Sequence, residues 1–125
     1  MPAMKQLAHL LLSVTFILGG SRAFLQPGDR VKKVANVGIP EPELAVKVNG
    51  ASMVLGGVAL GLGILPRLTA AMLIIALIPT TIVGHAFWKE ETEAGKKNQQ
   101  IQFAKNLSII GGLLLVLAEG KEKSA

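Results

Sequence analysis

Residues 68–88 read LTAAMLIIALIPTTIVGHAFW. The first eleven carry no charge, and a proline, two threonines, a histidine and a tryptophan close the run. A bilayer core about 30 Å thick is crossed by roughly 20 apolar residues of helix. Residues 68–88 meet that length, and windows at 7–25, 44–65 and 101–118 come close to it. Charged residues gather between the windows. Four spans consume most of a 125-residue chain, half of it hydrophobic, with a mean hydropathy of +0.50. The expected fold is therefore all-α: one integral membrane domain over residues 1–125, a four-helix bundle threaded up and down antiparallel.

The chain has no cysteine, which removes disulfide exchange, thiolate metal sites, Fe–S clusters and cysteine-attached haem. The first span also mimics a secretory leader. Lys5 precedes an apolar stretch, and Ser21-Arg22-Ala23 imitates a small-x-small cleavage site. The apolar stretch runs on to Phe24-Leu25 and an arginine sits beside the cut, so a retained span is expected. A net charge of +5 raises the question of nucleic acid, which needs a basic face with stacking aromatics. Here the cations flank apolar spans and there is no tyrosine. Anionic lipid headgroups are the expected partner, and nucleic acid is not.

The first loop, Gln26–Glu43, is the longest. Pro27-Gly28 breaks the first span. Asp29–Val37 places Val31, Val34 and Ala35 on one helical face and Arg30, Lys32 and Lys33 elsewhere, which suits a short interfacial helix; an ordinary polar loop fits as well. Leu65-Pro66-Arg67 leaves almost nothing between spans two and three, so these form a tight hairpin. The third loop, Lys89–Gln100, is wholly polar. Nine lysines and arginines lie on the side of loops one and three against four (Lys5, Arg67, Lys121, Lys123) on the other, an asymmetry that favours cytoplasmic loops one and three. Gly57-Val-Ala-Leu-Gly61 is a small-xxx-small step that lets backbones approach closely, chiefly within the chain and otherwise between copies in a homo-oligomer. A faint repeat pairs Arg22-Ala23-Phe24 with His85-Ala86-Phe87, and Lys47/Asn49 with Lys105/Asn106.

Antiparallel threading puts the end of span one, the start of two, the end of three and the start of four on one side. Those ends carry Arg22; Lys47 and Asn49; His85 and Trp88; and Gln102, Lys105 and Asn106. The last three share a helical face. Polar residues inside spans are costly and usually face the bundle interior, so His85 is expected in a shared basic pocket. No carboxylate lies in the inner parts of the spans at this end, which leaves Arg22, Lys47 and Lys105 without an obvious partner. They snorkel to headgroups or hold something electron-rich: a phosphate, a sulfur oxyanion or a quinone carbonyl. Arg22 is expected to reach back into the bundle. Trp88 also suits an aromatic belt. Thr80 and Thr81 suit repair of the backbone groups that Pro79 frees. No metal site is expected, since His9 lies at the opposite end and no acid accompanies His85. No catalytic residue is assigned.

The combination of PEPELAVKVNGASMVLGGVALGLGILPRLTA (40–70), PTTIVGHAFW (79–88) and QFAKNLSIIGGLLLVLA (102–118), with Arg-Ala-Phe closing the first span, resembles the bacterial DoxX family. The resemblance implies a multi-pass inner-membrane protein and carries the family's polar signature onto Arg22, Asn49, His85, Trp88, Lys105 and Asn106. It implies a membrane subunit of a redox-linked system, in the manner of the quinone-linked sulfur oxidation subunits and oxidative-stress complexes of the family. Quinone is then a cofactor to expect and redox proteins are partners to expect. The other reading is a non-catalytic scaffold that assembles partner proteins through its loops.

Overall fold

A computed structural model describes the backbone of residues 2–124 and side chains over residues 3–119. It is all helix: α1 (Pro2–Leu25), α2 (Gly28–Asn36), α3 (Pro42–Gly61), α4 (Pro66–Gly84) and α5 (Glu93–Ser124), with one 3₁₀ turn at Phe87–Lys89. Four helices (α1, α3, α4 and α5) are long and apolar enough to cross a membrane. Proline opens both α3 and α4, where its missing N–H costs nothing and its φ suits the first turn. The α3–α4 hairpin turns through Gly63, at φ +73°, and Leu65, at φ +42°. Glycine adopts that left-handed conformation freely, whereas in leucine it is strained. Thr69 helps to fix the turn by donating its hydroxyl to the Ile64 carbonyl at 3.0 Å.

The helices pack in chain order, α1 on α3, α3 on α4 and α4 on α5, while α1 and α5 meet sparsely. Each span contributes one fully buried large side chain: Phe16, Leu60, Leu73 and Leu113. Each also turns large apolar side chains outward, such as Leu11 at 65% exposure, Leu55 at 69%, Ile75 at 70% and Leu115 at 70%. In water such patches would be an aggregation liability; around a transmembrane bundle they face acyl chains. Glycines set how near the backbones come. A Cβ on Gly20 would lie 2.6 Å from the Gly50 carbonyl oxygen, and one on Gly50 would lie 2.7 Å from that of Gly20. Gly57 and Gly61 sit against Phe16 and Ser13 in the same seam. The Gly57/Gly61 step thus serves contact within the chain.

Several boundaries differ from expectation, three of them with consequences for the turns and loops. α3 stops at Gly61, because Leu62–Leu65 make the turn. α4 stops at Gly84, so His85 is its C-terminal cap rather than a helical residue. α5 starts at Glu93 instead of 101, and the third loop shrinks accordingly. Its polar residues are mostly strong helix formers, and the Gly95 N–H donates to the Thr92 hydroxyl at 3.0 Å as a helix start requires. An apolar window could not register either fact. The first loop forms the short helix α2, with Arg30, Lys32 and Lys33 as expected within it. Of the four cations counted on the far side, the side chains of Lys121 and Lys123 lie outside the described residues.

Candidate functional site

A cavity of about 930 Å³ opens at the end of the bundle where α1 finishes, α3 begins, α4 finishes and α5 begins. Its position follows from the antiparallel threading. Arg22, Asn49, His85, Lys105 and Asn106 all line it, and so does Gln102. Deeper down, Leu18, Met53 and Leu77 make the wall apolar.

The neutral polar groups form a closed framework. Asn49 on α3 donates its amide N–H to the Thr80 hydroxyl at 2.8 Å, and Thr80 donates to the Ala76 carbonyl at 3.0 Å. Buried Asn106 on α5 donates to the Thr81 hydroxyl at 3.0 Å, and Thr81 donates to the Leu77 carbonyl at 2.7 Å. The two asparagines thus clamp α3 and α5 to consecutive threonines of α4. The threonines serve the asparagines and the carbonyls one turn back; neither hydroxyl turns to the Ile75 carbonyl, the one that lacks a donor because Pro79 has no N–H. His85 Nδ1 lies 2.8 Å from the Gln99 side-chain oxygen. That oxygen only accepts, so Nδ1 carries the hydrogen and Nε2 is left as the free ring nitrogen. Among the described residues no buried side-chain nitrogen or oxygen lacks a partner.

Charge at the cavity is less balanced. Arg22, Arg30, Lys33 and Lys105 line it, with Asp29 as the carboxylate among them. Lys33 reaches inward from α2 and donates to the Gly84 carbonyl at 2.9 Å, and Arg30 reaches the Gln26 carbonyl at 3.4 Å. Among the described residues none of these four cations makes a salt bridge. Arg22 and Lys105 are exposed while still lining the cavity.

Two expectations need correction. Trp88 is absent from the cavity lining. It is 51% exposed and stands edge-on to Phe87 and Phe103, with ring centroids 5.1 and 6.0 Å away. Because α4 ends at Gly84, the following 3₁₀ turn carries Trp88 away from the bundle axis. Lys47 also lies outside the lining and has a carboxylate partner one turn back, Glu43 at 3.8 Å. Sequence reading missed Asp29, Arg30, Lys33 and Gln99 at the cavity and the acceptor role of Thr80 and Thr81. The adjacent threonines four and five residues before His85 were the available signal. The opposite end differs in kind: buried His9 meets Glu119 at 3.2 Å, and Arg67 donates to the Leu117 carbonyl at 2.9 Å.

These features define a multi-pass membrane protein with a basic cavity at one end of a four-helix bundle. The DoxX family model matches residues 5–86, well over half of the chain, and the chain belongs to the DoxX family. It is 29% identical over 119 residues to the "Inner membrane protein YphA" of Escherichia coli (strain K12), an alignment covering 95% of this chain and 84% of that protein. No solved structure matches the chain. Four apolar helices and these relationships make it a multi-pass protein of the cell membrane.

Proposed function

We propose that the chain is an integral membrane subunit that binds a ligand with electron-rich oxygen in this cavity. One observation carries the reading: four cations border the cavity without a salt bridge among the described residues, while Asn49, Asn106, Thr80 and Thr81 are occupied with one another and with the α4 backbone. Arg22, Arg30 and Lys105 are exposed at the helix ends, where the desolvation cost is small, but like charges gathered at one mouth repel one another, and an oxygen-bearing ligand offsets that repulsion. A quinone carbonyl or a lipid headgroup meets this requirement. The Arg22 guanidinium, a planar fork that grips oxygen from two nitrogens, is the donor we assign, and His85 Nε2, an acceptor, takes a hydrogen bond from a hydroxyl of the ligand. The redox-linked setting rests on the family resemblance alone.

Native mass spectrometry of protein extracted gently from its own membrane tests the reading. The wild type should carry a co-purifying small molecule, and His85→Ala should lose most of it. A wild type with an empty cavity and bound protein partners would favour the scaffold reading. The polar start of α5, Glu93–Gln100, and the exposed Trp88 would then be the contact surface.

A further inference from the structure

The cavity has a depth profile as well as a charge. On α1 its wall runs from Arg22 down to Thr15, seven residues or about 10 Å at 1.5 Å per residue. The cations occupy the upper part. Leu18, Met53 and Leu77 occupy the lower part, where hydrocarbon would surround the bundle.

The cavity also has a weak side. α1 packs tightly on α3 but meets α5 sparsely. The visible α1–α5 contacts, Leu12 against Gly112 and His9 with Glu119, lie toward the end away from the cavity. Above them the two helices present cavity-lining residues to each other across a gap: Thr15, Leu18 and Gly19 from α1, and Gln102, Lys105 and Asn106 from α5. A Cβ placed on Gly19 would meet nothing within 4 Å, and Leu18 beside it is 54% exposed. A slot between two transmembrane helices opens onto lipid.

We propose that the occupant is an anionic phospholipid whose phosphate sits among Arg22, Arg30, Lys33 and Lys105. Its acyl chain leaves between α1 and α5 across Gly19. The inference rests on the cavity reading above and names the ligand class. Charge complementarity selects the headgroup: four cations against Asp29 leave a net positive mouth that attracts a phosphodiester anion, whereas a neutral ring carries no charge to answer it. The apolar slot selects an amphipathic molecule entering sideways from the bilayer over a soluble anion entering from water.

The test uses purified, delipidated full-length protein with added dioleoyl phosphatidylglycerol, dioleoyl phosphatidylcholine or a ubiquinone, read by native mass spectrometry. Wild type should retain one phosphatidylglycerol with at least tenfold preference over phosphatidylcholine. Arg22→Gln/Lys105→Gln should lower that retention at least tenfold. Gly19→Leu fills open space, so it should keep its helical content and melting point yet lose retention by a similar factor. Lys47→Gln, outside the cavity, should retain the lipid as wild type does. Equal retention of phosphatidylcholine, full retention by Gly19→Leu, or a Lys47→Gln loss as large as that of the double variant would each overturn the proposal. Retention of the quinone without phosphatidylglycerol would overturn it while leaving the cavity reading intact. Retention of neither would remove both.

Discussion

Gly19 and Gly20 are neighbours on α1 with opposite surroundings. Gly20 lies so close to α3 that a Cβ would strike the Gly50 carbonyl at 2.6 Å, while a Cβ on Gly19 would touch nothing within 4 Å. They mark the two flanks of one helix. The flank toward α3 is zipped by glycines at Gly20, Gly50, Gly57 and Gly61. The flank toward α5 closes only at the far end. In lipid, helices associate through packing, so glycine placement decides which seams shut. The same sequence pair therefore builds a rigid joint on one side and leaves a gap on the other.

Substitutions along α1 can break that contrast. Gly20→Leu should have the largest effect, at or above the roughly 1–3 kcal/mol typical of overpacking, because the obstacle is backbone and cannot rotate away. Thermal melting in detergent should show a large drop or no folded protein. Gly50→Ala should follow, within the same range of about 1–3 kcal/mol, measured in the same way. A wild-type melting point for either variant would mean that the α1–α3 seam is looser than described.

Effects beyond that seam should be smaller. Glu119→Gln weakens the contact that ties α5 to α1 through His9, and we expect a loss of about 1–2 kcal/mol, because Glu119 keeps 24% of its side chain exposed. Asn106→Ala removes one interhelical hydrogen bond, worth about 0.6–1.7 kcal/mol in membrane proteins. Thr81 retains its own bond to Leu77, so the lower half of that range is expected. The smallest effect should be that of Gly19→Ala, neutral to stabilising by up to about 1 kcal/mol through helix propensity alone. A clear destabilisation there would show that the α1–α5 gap is occupied by protein.

The sequence made some of this legible. Four apolar windows and one short turn were enough for topology, and topology places Arg22, Asn49, His85, Lys105 and Asn106 around one cavity. What stayed hidden depended on short-range geometry. Trp88 points elsewhere because α4 ends four residues earlier than the apolar run. Lys33 joins the cavity because α2 turns that face toward Gly84, which a nine-residue amphipathic pattern does not specify. Gln99 became His85's partner because polar helix formers extend α5 beyond its apolar window. The α1–α5 gap was invisible, since Gly19 and Gly20 read alike until a neighbour is placed beside them.

The early start of α5 has a mechanical consequence. From Glu93 to Asn106 the chain is one uninterrupted helix, so the polar turns of Glu93–Gln100 and the wall carrying Gln102, Lys105 and Asn106 move as one stiff rod. The α4 wall has no such extension; it ends at Gly84 and bends through a 3₁₀ turn. A force applied to the outer turns of α5 is therefore delivered to the slot facing α1 without a hinge to absorb it. Eight residues of helix, about 12 Å at 1.5 Å per residue, make a lever whose short end is the edge of the gap.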